Sequence, residues 1–361
     1  MSDEATERAA WGWDARWEAL WAQRGAAAWS PARVTAVLRG ACEVWWRGRT
    51  WPAAVTGKFR AEAETPSDFP VVGDWAAVEA TDSRERLLVH GVLPRRTILA
   101  RRAAGEEGGA QVLAANVDTV FIVTSFTEEF NARRVERYLA MAREGGVAPV
   151  VVLNKSDLAA ADDPRLAEAK ASAPGVMVAA VSARAGDGLE AVSSHLAAGK
   201  TAAFLGSSGV GKSSLLNRLL GREAQSTGPV REDDQEGRHT TTRREMFPVA
   251  GGGLVIDTPG LREVGLWTDG AALAQSFPEI DGWAADCRYS DCTHTVEPGC
   301  QVLAALADGR MERSRYDNYL KLRKEAAYLL RKADPAAAAV AKKRWKSINK
   351  SMKDMDRRKR E

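Results

Sequence analysis

Gly206-Ser207-Ser208-Gly209-Val210-Gly211-Lys212-Ser213 is the stretch that decides the fold. Its glycines let successive backbone N–H groups curl around phosphate oxygens, Lys212 adds a point charge, and Ser213 offers a hydroxyl to Mg2+. The apolar run Ala202-Ala203-Phe204-Leu205 before it and Ser214-Leu215-Leu216-Asn217-Arg218-Leu219-Leu220 after it supply the strand and helix that such a loop needs. The expectation is a phosphate loop in an α/β sheet, with Gly206 through Ser214 lining the phosphates.

Working outward, the apolar strand Leu254-Val255-Ile256 ends in Asp257-Thr258-Pro259-Gly260. Asp257 is placed to hold Mg2+ through a water, and Gly260 to offer its N–H to a terminal phosphate. Upstream stands Asn154-Lys155-Ser156-Asp157. A carboxylate at Asp157 can accept from the N1–H and exocyclic amine of guanine, which adenine does not present together. Asn154 is expected to stabilise the loop and contact N7, and the Lys155 stem to lie along the base. Ser182-Ala183 supplies an N–H for guanine O6. The base-reading segment thus precedes the phosphate loop and the Asp257 motif comes last, the order of a circular permutation.

Between phosphate loop and Asp257 lies a polar stretch, residues 231–244, containing Gly237-Arg238-His239-Thr240-Thr241-Thr242-Arg243. A threonine that ligates Mg2+ and senses the terminal phosphate is the core of a first switch. Thr242 is the first candidate, then Thr241, with Thr240 also present. Ser213, Thr242 and Asp257 form the expected magnesium set. The residue after Gly260 is Leu261, which cannot orient a water, so intrinsic turnover is expected to be slow. His239 is the candidate to take over that role beside Lys212 and Thr242; the alternative is a loop histidine without a role.

The rest of the chain divides by pattern. Residues 1–30 carry five of the twelve tryptophans, with Trp13, Trp17 and Trp21 at helical spacing. Residues 31–113 read as short strands separated by turns, a length and pattern that fit an OB-type barrel. Arg33, Arg39, Arg47, Arg49, Lys58 and Arg60 interleave there with Trp45, Trp46, Trp51 and Phe59, a mix suited to nucleic acid. Residues 114–270 alternate strand and helix, as in a parallel sheet whose ligands sit at the strands' carboxyl ends. Residues 271–361 read as a mostly helical segment ending in a basic tail, where 341–361 hold ten Lys or Arg against three acids. Within that segment Cys287, Cys292, His294 and Cys300 offer three thiolates and an imidazole, the complement of a closed structural zinc site. Cys42 stands apart and reads as a buried apolar residue. No apolar run approaches the roughly 20 residues that span a membrane, and the N-terminus lacks a signal-peptide pattern, so a cytoplasmic protein is expected.

These motifs together resemble the ribosome small-subunit-dependent GTPases of the RsgA (YjeQ) family over about residues 31–330. The resemblance rests on the permuted order, the phosphate loop, His239-Thr240-Thr241-Thr242, Asp257 to Gly260 followed by an apolar residue, and the Cys/His cluster. Shorter phrases add to it: Pro70-Val71-Val72-Gly73-Asp74, Leu93-Pro94-Arg95-Arg96 and Glu297-Pro298-Gly299-Cys300. It implies a barrel, a permuted GTPase and a zinc domain that bind the small ribosomal subunit and its rRNA late in maturation. Hydrolysis of GTP to GDP would be stimulated by the subunit and coupled to release, with Mg2+ and one Zn2+ as cofactors. A monomer is expected. The competing reading is a nucleotide-gated RNA-binding scaffold with incidental GTPase activity, and a third is a permuted GTPase of the large subunit.

Overall fold

Two helices open the chain, α1 (Ser2–Ala10) and α2 (Ala15–Arg24). Asp14 starts the second, accepting from the backbone N–H groups of Arg16 and Trp17 at 3.0 and 3.2 Å, donors that a helix N-terminus otherwise leaves open. Trp17 is completely buried, and Trp13 meets Trp75 edge-on at 4.7 Å in a cluster that includes Leu93. Trp11 stacks on Trp45 at 5.1 Å. The tryptophans at the start of the chain are therefore part of a core. The computed structural model describes residues 2–24, 28–38, 41–81, 85–102, 110–221, 244–257 and 271–333.

Strands β1 (Ser30–Leu38), β2 (Ala41–Trp46), β3 (Arg49–Val55), β4 (Trp75–Ala80) and β5 (Leu87–Val92) run in the order β1-β2-β3-β5-β4, and β4 returns to β1 to close the OB-like barrel. Inward positions carry Val34, Val44, Val78, Leu87 and Val89, all buried. Cys42 lies among them, and burial pushes its thiol up to about 12, so it behaves as an apolar residue. A short helix, α3 (Gly57–Glu62), lies between β3 and β4, capped by the Thr56 hydroxyl. The next two strands, β6 (Ile98–Arg102) and β7 (Ala110–Ala115), form a separate two-stranded sheet rather than part of the barrel wall.

The nucleotide-type sheet follows. It contains β8 (Thr119–Ser125), β9 (Ala148–Asn154), β10 (Met177–Ala180), β11 (Thr201–Leu205), β12 (Arg244–Pro248) and β13 (Leu254–Asp257). Its order is β10-β9-β8-β11-β13-β12, with every neighbour parallel except β12 against β13. Helices α4 (Ala132–Glu144), α5 (Pro164–Ser172), α6 (Glu190–Ser193) and α7 (Lys212–Leu220) lie between these strands in the chain. Phe121, Val152, Phe204, Leu215 and Val255 form its core. Strand β12 also pairs antiparallel with β1, so barrel and nucleotide sheet are one continuous 11-stranded sheet.

The phrases around Gly73 and Arg95 meet beside this junction. Asp74 is completely buried and takes a two-pronged pair from Arg95, Nε to Oδ1 and Nη2 to Oδ2, both at 2.8 Å. Arg95 also donates to the carbonyls of Ser67 and Phe69 at 2.7 and 2.9 Å. Gly73 has φ +94°, and a Cβ there would lie 2.0 Å from the Ala115 carbonyl oxygen. Only glycine fits such an approach. Asn116 accepts from the Arg96 N–H at 2.8 Å and donates to the Gly73 carbonyl at 2.9 Å, so both phrases are tied to the turn leading into β8.

Residues 1–265 form one unit and 266–361 another. The second holds α8 (Ala271–Ser276), α9 (Pro278–Ala285), α10 (Gln301–Ala307) and α11 (Arg313–Ala333), with Phe277 completely buried against Tyr319. Among the described residues no helix is long and apolar enough to cross a membrane.

Losing one member of a buried, hydrogen-bonded ion pair leaves its partner uncompensated, at a cost of about 3–5 kcal/mol. Arg95→Ala is therefore expected to lower the urea midpoint of the tryptophan-rich unit, followed by intrinsic fluorescence. An unchanged midpoint would show that the Asp74–Arg95 pair contributes no more than a surface contact.

Candidate nucleotide site and metal centre

Strand β11 is buried along its length and ends at Gly206, where the phosphate loop begins. Gly206 has φ +156°, and a Cβ there would lie 2.3 Å from the Val123 carbonyl oxygen of the neighbouring strand. Gly211 has φ +95°, and a Cβ would lie 2.2 Å from Asn154 Nδ2. Both glycines are thus required by close approach. The loop leads into α7, whose first residue is Lys212, followed by half-buried Ser213 and Ser214. Ser207 and Gly211 are also half-buried, Ser208 and Gly209 exposed, and Val210 packed into the core.

Asn154 ties the parts together. Its Nδ2 donates to the Val210 carbonyl at 2.9 Å, and its Oδ1 accepts from the Ala183 N–H at 3.0 Å. One buried amide thereby fastens phosphate loop and base-reading loop to the end of β9. The Ala183 N–H expected to face guanine O6 is spent on Asn154, so a bound base would have to share it. Asp157 is exposed and accepts from the Ser182 hydroxyl at 2.6 Å; that oxygen in turn accepts from the Ala185 N–H at 2.9 Å. Lys155 adopts a left-handed conformation, φ 64°, which turns the chain toward Asp157.

Lys212 is nearly buried, and its Nζ donates to the carbonyls of Gly206 and Ser207 at 2.9 and 2.6 Å. Burial lowers its amine to about 8, against the pull of Asp257. Asp257 ends β13, and burial pushes its carboxyl up, again opposed by its partner, Lys212. A half-desolvated carboxylate with one lysine as counter-charge suits a divalent cation, and Ser213 on the first turn of α7 supplies the hydroxyl that cation would take. Thr242, His239 and Gly260, with Thr240, Thr241 and Leu261, lie outside the described residues, as do Arg39 and the basic tail.

One cation lies within reach of the loop without belonging to any motif: Arg134 of α4 donates from Nη1 to the Ser207 hydroxyl at 2.9 Å. No sequence signal marks it, because it stands 73 residues from its partner. Another basic residue moves in the opposite direction. Arg33, grouped by composition with the nucleic-acid-facing cations, is 1% exposed, donating to the Asn116 carbonyl at 3.3 Å and the Thr201 hydroxyl at 3.1 Å. Burial lowers its guanidinium to about 10, and its role is to join barrel to nucleotide sheet. Trp45 is likewise core. Arg47 and Arg49 remain at the surface of the β2–β3 turn, lying over the rings of Trp46 and Trp51 at 4.7 and 3.7 Å. Lys58 and Arg60 are exposed on α3.

In the second unit the ligand-type atoms of Cys287, Cys292, His294 and Cys300 all lie within 4.8 Å of one another. Cys287 Sγ is 3.9 Å from Cys300 Sγ, and His294 Nδ1 is 3.7 Å from Cys287 Sγ and 3.5 Å from Cys300 Sγ. A tetrahedron with metal–sulfur bonds of about 2.3 Å and metal–nitrogen bonds of about 2.0 Å has edges of about 3.5–3.8 Å. The cluster's edges among Cys287, His294 and Cys300 therefore fit a metal of that size, with Cys292 close by as the fourth donor. Its surroundings fit as well. The N–H groups of Gln301 and Leu303, in the first turn of α10, point at Cys287 and Cys300 sulfurs at 3.4 Å, where a helix N-terminus favours thiolate. The carbonyl of His294 accepts from the Tyr316 hydroxyl at 2.6 Å, and Arg323 donates to the Thr293 carbonyl at 2.7 Å. The Glu297 carboxylate gathers the N–H groups of Thr293, Thr295 and Val296, fixing the loop that carries His294 at φ 59°.

A P-loop GTPase with its motifs in permuted order, behind an OB-type barrel and ahead of a Cys/His cluster, is the class that fold and site define. The RsgA GTPase family model matches residues 92–267, and a 50S ribosome-binding GTPase model matches 201–360. The chain is 48% identical to the small ribosomal subunit biogenesis GTPase RsgA of Opitutus terrae, over 91% of this chain and 92% of that one. It is 41% identical to the protein of that name from Syntrophotalea carbinolica, over 93% of this chain and 94% of the other. Among solved structures, YjeQ from Thermotoga maritima aligns with a TM-score of 0.61 and 28% identity, covering 82% of this chain and 98% of that one. The fold is shared as well with YloQ, described as a circularly permuted GTPase, at a TM-score of 0.57, 23% identity, and 82% and 95% coverage. The chain belongs to the RsgA family of GTPases.

Two outcomes follow from the site geometry. A phosphate beside Lys212 raises its amine above the value of about 8 in the free protein. Nucleotide affinity is thus complete below that value and is lost as pH rises through it, by up to about tenfold per unit. Titrating GDP between about pH 7 and about pH 9 checks this; a flat profile would mean that Lys212 does not face phosphate. A metal held by the second unit's cluster would couple its binding to local folding. Cys292→Ser is then expected to lower metal content and increase hydrogen exchange of α10 and α11 while GDP affinity stays at the parent value. Retained metal and unchanged exchange would contradict the ligand assignment.

Proposed function

We propose that this GTPase acts on the small ribosomal subunit late in its maturation, with hydrolysis stimulated by the subunit and coupled to release. The observation that carries the reading is the match to small-subunit biogenesis GTPases over more than nine-tenths of the chain, at 41–48% identity. In this reading Asn154, Lys155, Asp157, Ser182 and Ala183 hold guanine, and Gly206 through Ser214 hold the phosphates. Ser213, Asp257 and Thr242 serve Mg2+, with Gly260 at the terminal phosphate. The Cys287, Cys292, His294 and Cys300 cluster holds one structural Zn2+, with no ligand position left for substrate. Arg47, Arg49, Lys58 and Arg60 give the barrel a basic face for rRNA backbone. The basic residues 341–361 suit the same partner. The protein works as a monomer in the cytoplasm.

The match to a 50S ribosome-binding GTPase model favours a second reading, action on the large subunit. GTP turnover measured with purified small and large subunits separates the two, and a scaffold with incidental hydrolysis would respond to neither. Stimulation by the small subunit is expected. His239→Ala is expected to lose about 10²-fold of that stimulation, within the range for a positioned acid–base group, while free-protein turnover holds. Equal stimulation of variant and parent would leave His239 a loop residue without a role.

A further inference from the structure

Arg134 is held at the phosphate loop by local structure that gives it one direction to reach. It lies in the first turn of α4, where the side chain of the N-cap Asn131 accepts from the Arg134 backbone N–H at 3.0 Å. That bond fixes the backbone from which the side chain extends, and Nη1 meets the Ser207 hydroxyl at 2.9 Å. The carbonyl of the same Ser207 accepts from Lys212 Nζ at 2.6 Å. One residue of the loop thus gathers two cations, one through its backbone and one through its side chain.

The two cations differ in freedom. Lys212 is nearly buried inside the loop. The Arg134 side chain is 39% exposed, and its contacts include the Glu129 carbonyl at 3.4 Å and the Glu129 carboxylate at 3.8 Å. Glu129 itself is 53% exposed, so that pair is screened by water and weak. A neutral hydroxyl and a solvated carboxylate are modest partners for a planar fork that binds phosphate in two-pronged fashion. The loop's N–H groups and Lys212 enclose the inner phosphates of a nucleotide. Arg134 meets the loop at half-buried Ser207, next to exposed Ser208 and Gly209, and is itself partly exposed. The phosphate left for a cation on that side would be the outermost one, which the loop does not enclose.

We propose that Arg134 is a terminal-phosphate residue of this GTPase: it leaves Ser207 and Glu129 to bind the γ-phosphate of GTP. The proposal rests on the phosphate loop as the nucleotide site. It gives the protein, within its own chain, a cation placed where charge collects during hydrolysis. It also distinguishes GTP from GDP, since GDP lacks the group that Arg134 would hold.

The test compares GTP-analogue and GDP affinities, and single-turnover hydrolysis, for the parent protein, Arg134→Ala, Arg134→Lys, Glu129→Gln and Lys212→Ala. Arg134→Ala is expected to lose about tenfold or more in affinity for the GTP analogue, the scale of a charge-assisted bond, while GDP affinity stays within about twofold. Hydrolysis at saturating GTP falls too, and Arg134→Lys recovers part of both losses. Glu129→Gln keeps the parent's preference between the nucleotides. Equal loss for both nucleotides in Arg134→Ala, no loss for either, or the same loss in Glu129→Gln would overturn the proposal, the last by making the Arg134–Glu129 pair a structural brace. Lys212→Ala should weaken both nucleotides; if it weakens neither, the site reading fails, an outcome distinct from failure of the Arg134 assignment alone.

Discussion

The backbone pairing of β1 with β12 is the constraint on which the first unit depends. Among the described residues Ala36 with Glu245 and Val37 with Arg244 are in register, and they convert a barrel and a nucleotide sheet into one continuous sheet. Without β1, β12 would be a sheet edge with open N–H and C=O groups, a liability that proteins cover or blunt. Here the barrel covers it. The same β1 carries Arg33, whose guanidinium crosses the junction to Asn116 and Thr201. Burial disfavours that cation's charge, and the charges of Asp74 and Asp118 oppose the shift. A buried cation bonded across the junction cannot slide without losing those bonds while its charge stays buried.

This seam matters to nucleotide response because of where β12 stands in the chain. It begins directly after residues 222–243, which contain the threonines expected to sense the γ-phosphate, and it pairs with β13, which ends at Asp257. Both strands that flank the expected magnesium residues are thus hydrogen-bonded into the sheet that includes the barrel. A change of register or tilt at β12 would reach β1 through backbone bonds, with no side-chain relay required. Asn154 plays the matching part on the other side of the phosphate loop. Its single amide bonds both Val210 and Ala183, so a base held at that loop would bear on the shape of the phosphate loop.

Residues whose chemistry is local were legible from sequence. The glycines of the phosphate loop, the spacing of Cys287 to Cys300 and the apolar runs of β8 and β9 each depend on neighbours within a few positions. The close approaches at Gly206 and Gly211 then confirm why those glycines are needed. What stayed hidden was set by contacts between distant segments. Arg33 and Trp45 counted as nucleic-acid-facing residues because composition records charge and aromaticity, not burial. Arg134 carried no signal, as its partner lies on another strand's loop. The barrel's fusion to the nucleotide sheet was equally hidden, since it rests on a few backbone bonds between strands about 200 residues apart in sequence. The tryptophans of residues 1–30 were visible as a helical pattern. Their partner, Trp75 with Leu93, was not.

Permutation decides where the second unit joins the chain. In this chain order the strand that ends at Asp257 leads through residues 258–270 into α8, so the segment expected to feel the terminal phosphate is also the covalent lead into the Cys/His unit. A tether of that kind transmits a change only if its far end is stiff. The second unit supplies the stiffness locally: four ligand-type residues converge on one point, α10 directs its N–H groups at two of the sulfurs, and Tyr316 and Arg323 of α11 pin the carbonyls beside His294. A closed tetrahedral site has no position for substrate. In the proposed cycle its contribution would be mechanical rather than a second centre of chemistry.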